Sequence, residues 1–238
     1  MIKKKIVVTG GNGELSKSLK KVNKKFNILF PNKNQLNIKK YLSITNYINK
    51  KKPDYLIHAA ALTTPMSQHN YRMIDSIDLN IIGTSNVAKA CHINKVKMIY
   101  ISTNFVYPGK KGNYKEEDSL NPVNKYGWSK LGGECATMLI DNNLILRVCM
   151  SNDKFPHKVA YSNYLTSFLT KTNVAKIILK LLNKKGVINI GGKTQSAYNF
   201  AKKLNKSINK SKVLKKDKKL LGNNTSLNIN KLKKILSK

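Results

Sequence analysis

Acidic residues are scarce in this 238-residue chain: 11 Asp and Glu stand against 45 Lys and Arg, for a formal charge of +34. Arginine is scarcer still, since Arg72 and Arg147 are the only two. A surface selected to grip phosphate backbones recruits arginine for its bidentate fork. Here lysines are spread along the whole chain among many Asn and Ile, as A/T-rich codons drifting into tolerant surface positions would leave them. No specific nucleic-acid partner is expected, although the charge favours anionic small molecules near a cleft. Cysteine is also sparse: Cys91, Cys135 and Cys149 are odd in number and form no CxxC pair, which excludes a disulfide framework and fits reduced packing thiols. His58, His69, His92 and His157 share no metal-ligand spacing with Cys or carboxylates, so no metal is expected. No apolar run approaches the roughly 18 residues of a membrane span. Met1 to Lys5 leads into a strand pattern rather than a signal-peptide core, so a soluble, cytoplasmic protein without a membrane partner is expected.

What is present is alternation. Lys5 to Thr9 is a β-branched run, Gly10 to Gly13 a glycine turn, and Leu15, Leu19 and Val22 recur at helical spacing. Asn27 to Phe30 and Tyr55 to His58 read as buried strands with a helix over Tyr41 to Lys50 between them. Ile74 to Ile93 reads as a helix, Lys97 to Ser102 as a strand, Lys125 to Asp141 as a helix and Leu144 to Val148 as a strand. Between them, residues 104 to 124 carry Pro108, Gly109, Gly112 and Pro122 and read as a loop long enough to be functional. Strand and helix in turn imply an α/β fold, a doubly wound parallel sheet covered on both faces, whose ligands sit at the strand carboxyl ends. Beyond Val148 the pattern loosens. Ser151 to Phe168 has no clear period, Asn173 to Leu182 is an amphipathic helix, Val187 to Ile190 a short strand, and Lys231 to Leu236 a small helix. The Lys-rich stretch 206 to 220 reads as a solvated loop or helix face. There is no internal repeat. The expected organisation is a dinucleotide-binding domain over 1–150 and a small substrate lobe over 151–238, which lends a strand and a helix to the main domain.

Three segments bear chemistry. Thr9-Gly10-Gly11-Asn12-Gly13-Glu14-Leu15-Ser16 follows a strand and opens a helix, so backbone N–H groups and the helix dipole can face a pyrophosphate. Gly10 and Gly13 permit the tight turn, while Ser16 stands where a third glycine would let helix and strand approach, predicting a slightly wider contact. Glu14 suits the helix dipole but would repel a phosphate unless it turns away. Thr103 closes the strand run. Tyr126 and Lys130 are four apart, which on a helix stacks phenol and ammonium on one face. An ammonium beside a phenol favours phenolate, so Tyr126 is expected to exchange protons near neutrality. Trp128, between them, is expected at the core or cleft rim. Arg147 is read equally as a buried pairing residue and as a substrate-phosphate contact, and the Glu116-Glu117-Asp118 cluster as a solvated loop at least as readily as an acid/base pair.

Taken in order, TGGNGELS, HAAALT at His58 to Thr63, Asn80 in DLNIIGTSNVAKA, ISTNFVYPG, YKEEDSLNPVNKYGWSKLGGE and LRVCM resemble the extended short-chain dehydrogenase/reductase family. They most resemble its dTDP-4-dehydrorhamnose reductase-like nucleotide-sugar reductases. The resemblance implies a Rossmann-type fold and an NAD(P)H-dependent oxidoreductase acting on a 4-keto-6-deoxy nucleotide sugar in polysaccharide or deoxysugar biosynthesis. It implies that Tyr126 is the proton donor, Lys130 its tuning partner and ribose contact, and Thr103 the hydroxyl on the substrate carbonyl. Gly10, Asn12, Gly13, Glu14 and Leu15 match the cofactor-phosphate loop, Asn37 and Ile38 the adenine-contacting pair, Ala60, Ala61 and Leu62 the cofactor-lining strand end, and Asn80 a further cofactor contact. Asn104, beside Thr103, and Met150, two residues past Val148, are read as substrate contacts lining the cleft.

Departures from the family pattern narrow this. Asn104 and Asn37 stand where the family often has Asp. Asn104 and Phe105 follow Thr103 where sugar-nucleotide dehydratases carry two acids, which argues against dehydration and leaves reduction or 4-epimerisation with tightly bound NAD. Phe30-Pro31-Asn32-Lys33 offers no acid to a ribose 2'-hydroxyl, and Lys33 could meet a 2'-phosphate, tilting a choice between NADP and NAD toward NADP. At 238 residues the chain is shorter than is usual for the family, so a trimmed sugar-selecting lobe is expected. The family also contains a nucleotide-binding regulatory subunit of methionine adenosyltransferase, making a non-catalytic NADP-binding protein the alternative from another class. A homodimer is among the assemblies allowed.

Overall fold

The computed structural model describes residues 3–214, 218 and 220–237. Its centre is a six-stranded, all-parallel sheet built from β1 (Lys5–Thr9), β2 (Asn27–Leu29), β3 (Tyr55–His58), β4 (Lys97–Thr103), β5 (Asn143–Val148) and a later strand, Gly186–Ile190, in the order β2-β1-β3-β4-β5 and then Gly186–Ile190 at the edge. The middle strands are apolar on both faces because helices cover both. Ile6, Val8, Ile57, Ile99 and Leu146 face one buried cluster, and Val7, Leu56, Met98, Tyr100 and Ile145 the other. Period-2 alternation thus divides one strand's residues between two cores. Burying each such side chain contributes on the order of 1.5–3 kcal/mol.

The crossovers are α1 (Glu14–Val22), α2 (Tyr41–Lys51), a composite helix and α5 (Lys125–Met138). The composite runs from α3 (Met73–Ser76) through a π-helical turn (Ile77–Ile82) into α4 (Gly83–Ile93), where the sequence predicts one uninterrupted α-helix. The π turn contains Asn80, which is fully buried and bonded on both its side-chain atoms. Those bonds hold the turn's wider winding open, a common feature at functional sites. β1 pairs β2 on one side and β3 on the other, so successive crossovers leave in opposite directions and a crevice opens at the carboxyl ends of β1 and β3.

Beyond β5 the chain makes three two-stranded pairs, which explains its missing period: each strand is too short to alternate. β6 (Met150–Ser151) pairs β9 (Leu169–Thr170), β8 (Leu165–Thr166) pairs Gln195–Ser196, and β7 (Val159–Tyr161) pairs Asn209–Ser211. The last of these places a strand inside the Lys-rich stretch; residues 215–217 and 219 of that stretch lie outside the described residues. α6 (Lys171–Leu181) starts on Thr170, whose hydroxyl accepts from Asn173 N, and its buried Val174, Ala175, Ile178 and Leu181 join the core cluster that contains Leu15 and Leu19 of α1. Helix Asn230–Leu236 lays Leu232 into the same cluster. Among the described residues no helix is long and apolar enough to cross a membrane, and no cluster of His, Cys, Asp and Glu could hold a metal ion.

Candidate active site

Gly10 ends β1 with φ of +72°, and a Cβ there would stand 2.9 Å from Ala60 Cα. Left-handed backbone and close packing against the β3 end both require glycine. Gly11, to which the sequence assigns no role, has the stricter need: a Cβ would lie 2.6 Å from Pro31 O, where Gly11 N also bonds, and would overlap Phe30 O. Gly13 caps α1, and its N–H donates to Gly10 O at 2.8 Å. Ser16 does more than widen the helix contact. Its buried hydroxyl donates to Gly10 O at 2.8 Å, closing the turn where a third glycine would only leave room. Glu14 is turned along its own helix into an ion pair with Lys17 at 2.6 Å, and that hydrogen bond holds its carboxyl below the usual range. Gly10, Asn12, Gly13 and Glu14 are exposed, while Leu15 is buried in the core.

At the β3 end a directed chain of hydrogen bonds fixes the backbone. Thr9 Oγ1 accepts from Ala59 N and Ala60 N, leaving its proton for His58 Nδ1 at 2.8 Å. Thr84 donates to Asn80 O, so it accepts from His58 Nε2 at 3.0 Å. His58 is therefore a neutral, packed residue, and burial pushes it down to about 3. Ala60, Ala61 and Leu62 follow, all half-buried at the crevice. Asn80, expected as a cofactor contact, is committed to the protein: it accepts from Leu62 N at 2.8 Å and donates to Leu62 O and Ser129 Oγ. Ser129 in turn donates to Tyr126 O, so Asn80 ties the β3 end to the helix bearing Tyr126.

Of the expected adenine pair, Ile38 belongs to the core and is 5% exposed, because it packs where Gly83 leaves space. Asn37 is half-buried, with its side-chain oxygen accepting from Lys39 N.

α5 begins on Asn124, whose side chain accepts from Gly127 N at 2.8 Å. A Cβ on Gly127 would meet Pro122, which is why the helix can enter so close to the preceding loop. Tyr126 stands between the rings of His69, 5.2 Å away, and Phe105, 6.2 Å away. Burial pushes the Tyr126 phenol up to about 12, with Thr103 pulling back through a hydrogen bond. This corrects the expectation of a near-neutral phenolate. The Lys130 ammonium lies over Tyr100, 4.2 Å from the ring centroid, and burial brings it down to about 7. Desolvation leads both shifts, opposed by Thr103 at the phenol and by Glu134 at the amine. Trp128, two residues from Tyr126 and so on the opposite side of the helix, is 54% exposed rather than at the core. Thr103, buried at the β4 end, accepts from Phe105 N at 3.3 Å. Asn104 is buried too, and its amide donates to Thr225 O at 3.1 Å, so it braces the segment beneath the site. Met150 is half-buried against the core at the β5 end.

Arg147 is resolved as a pairing residue. Its guanidinium grips Glu134 through Nε and Nη2, the latter at 2.8 Å, and reaches Tyr107 Oη and Glu116 O through Nη1. Ser102 donates to the same Glu134 carboxylate. Glu116 accepts from Asn189 N, and Asp118 pairs Lys111, so the acidic cluster is structural. The 104–124 segment is likewise packed, with Tyr107 and Tyr114 stacked 4.8 Å apart in a buried cluster. Cys91, Cys135 and Cys149 are free thiols, Cys135 being exposed.

Residues 4–190 match the family model described as the RmlD substrate binding domain, and the chain belongs to that family. A dTDP-4-dehydrorhamnose reductase of Aggregatibacter actinomycetemcomitans is 27% identical over 202 residues, 81% of this chain and 63% of that protein. The methionine adenosyltransferase 2 subunit beta of Bos taurus is 31% identical over 157 residues, 61% of this chain and 46% of that one. The chain thus spans less than two thirds of the curated relatives it matches. Among solved structures, the dTDP-4-dehydrorhamnose reductase of Bacillus anthracis in complex with NADP superposes with a TM-score of 0.86 at 22% identity, covering 98% of this chain and 92% of that one. At that identity the likeness is one of fold, a Rossmann-type α/β arrangement.

Proposed function

From membership of that family and the grouping of Thr103, Tyr126 and Lys130, we propose that the protein is an NAD(P)H-dependent reductase of a 4-keto-6-deoxy nucleotide sugar. The observation that carries this reading is Tyr126 itself. Burial raises its phenol to about 12, and Lys130, 3% exposed, lies one helical turn further along α5. A phenol that keeps its proton at neutral pH is the state from which reduction starts.

The glycine turn fits a dinucleotide. Gly10, Asn12 and Gly13 are exposed at the amino end of α1, and Glu14 has turned to Lys17. Gly10, Asn12 and Gly13 would hold the phosphates, Ala60, Ala61 and Leu62 would line the adjoining wall, and Lys130 would meet the nicotinamide ribose. When bound, the dinucleotide supplies hydride to the carbonyl carbon. The chain's own part is to bind and protonate the oxygen. Thr103 donates a hydrogen bond to the oxygen as charge grows there, and Tyr126 gives it a proton. Met150 borders the sugar side, Asn104 braces it from beneath through Thr225 O, and residues 151–238 serve as its lobe. Glycine-turn geometry does not separate NADP from NAD; Lys33 favours NADP.

The test is oxidation of NADPH and NADH against dTDP-, UDP- and GDP-4-keto-6-deoxysugars. Consumption of one equivalent of reduced cofactor per sugar reduced is expected. Interconversion of sugars without net consumption would indicate the epimerase, and no turnover on any of these substrates would refute the reductase.

A further inference from the structure

The stretch from Leu220 to Thr225 lies between the lobe and the main domain. On its lobe side Leu165 N donates to Asn223 O and Thr225 N to Leu165 O, both at 3.0 Å, and the hydroxyls of Thr225 and Tyr164 meet at 2.7 Å. On its other side Asn223 N and Asn224 N both donate to Gly109 O, at 2.7 and 3.0 Å. Gly222 packs so closely there that a Cβ would stand 2.7 Å from Gly109 O.

Two buried asparagines bond the same stretch, and each adjoins a residue that the proposed chemistry uses. Asn104 follows Thr103: its Oδ1 accepts from the Thr103 hydroxyl at 3.4 Å, and its Nδ2 donates to Thr225 O at 3.1 Å. Asn124 stands two residues before Tyr126: its Oδ1 accepts from Gly127 N at 2.8 Å, opening α5, while its Nδ2 donates to Leu220 O at 2.7 Å and lies 3.9 Å from Met66 Sδ. In both, the acceptor serves the element that carries the chemistry and the donor serves the stretch from the lobe. A carboxylate cannot do this, having no proton to give. Aspartate at 104, common in the family, would set a carboxylate oxygen against the buried Thr225 carbonyl with nothing to bond them. We propose that Asn104 and Asn124 are positioning residues through which the lobe sets the Thr103 hydroxyl and the start of α5, so that a sugar seated on the lobe meets hydroxyl and phenol together. The consequence for turnover rests on the reductase reading; the linkage to the lobe does not.

The experiment compares Asn104→Asp and Asn124→Asp with the parent in two measurements. Amide hydrogen exchange of the cofactor-free protein, read by NMR, should speed up at least about fivefold at Asn223, Asn224 and Thr225 in each variant. Gly127 N should stay protected in Asn124→Asp, since aspartate still caps the helix. With NADPH and a 4-keto-6-deoxy nucleotide sugar, kcat should fall about tenfold or more while the NADPH dissociation constant stays near the parent value. Unchanged exchange in both variants overturns the proposal. So does faster exchange with kcat retained, which would leave the asparagines as braces of the fold alone, and so does an equal loss of kcat and NADPH binding, which would mark general unfolding. Should a carboxylate variant fail to fold, Asn104→Ser or Asn124→Ser removes the amide donor without adding charge and is read the same way. A parent without turnover would defeat the reductase reading, whereas exchange would still decide whether the two asparagines hold the lobe to Thr103 and α5.

Discussion

The Nζ of Lys130 lies 4.2 Å from the ring centroid of Tyr100, in a buried position that depresses the lysine to about 7. Its unfolded value is about 10.4. Between the two, the unfolded chain binds a proton that the folded protein does not, so this group makes stability rise with pH through that window. Lys130→Met lacks the effect. In urea denaturation the variant should be more stable than the parent at about pH 6, with the gap narrowing toward about pH 10. A pH-independent gap would show that Lys130 is not buried as an amine.

Tyr126→Phe leaves the ring between His69 and Phe105 and removes only the hydroxyl. Cofactor binding should stay near the parent value while kcat falls by about 10²–10⁴. Retained kcat would eliminate Tyr126 as proton donor.

Gly11→Ala forces a methyl against Phe30 O and Pro31 O, both backbone atoms that cannot swing aside. A loss of about 1–3 kcal/mol in unfolding free energy and weakened dinucleotide binding are expected. Gly13→Ala, whose Cβ would meet only Gly10 O at 3.1 Å, should cost less in stability. Equal effects would contradict the close approach of the β2 end.

Arg147→Met leaves Glu134 buried without its partner, which destabilises by about 3–5 kcal/mol. The double variant with Glu134→Gln should lose less than the sum of the two single changes, since each alone strands the other group. Chemical denaturation of the four proteins measures the coupling; additivity would argue against a tight pair.

His58 is held neutral between Thr9 and Thr84 with its pKa near 3, below an unfolded value of about 6.5. A depressed histidine contributes stability that is present above the unfolded value and lost as pH falls toward the folded one. The expected loss is about 1.4 kcal/mol per pH unit from this group. His58→Asn should be less stable at neutral pH but show a flatter decline between about pH 6.5 and 3. Parallel declines in parent and variant would show that His58 charges without penalty.

Most of the fold was legible because its signals are local. Period-2 and period-3.6 apolar runs give β1, β3, β4, β5, α1, α2 and α5 within a few residues, and glycine after a strand marks the turn. The π turn was hidden, because its cause is a set of bonds from Asn80 to Leu62 and Ser129, residues 18 and 49 positions away. The same distance hid Gly11, whose constraint comes from the end of β2, and the sharing of Glu134 by Ser102 and Arg147. The i, i+4, i+8 stripe on α5 was a usable sign of Glu134.

By itself the chain's sequence determined that Thr103, proposed to bind the carbonyl, ends a strand and that Tyr126 and Lys130, proposed for proton transfer, share one helix face, since strand-end position and helical spacing are properties of adjacent residues. The protonation state of those groups was decided only in three dimensions. Spacing placed Tyr126 beside Lys130 and suggested a phenolate, but pKa depends on what surrounds a group in every direction. Burial, contributed by segments from across the chain, raised the phenol and lowered the amine.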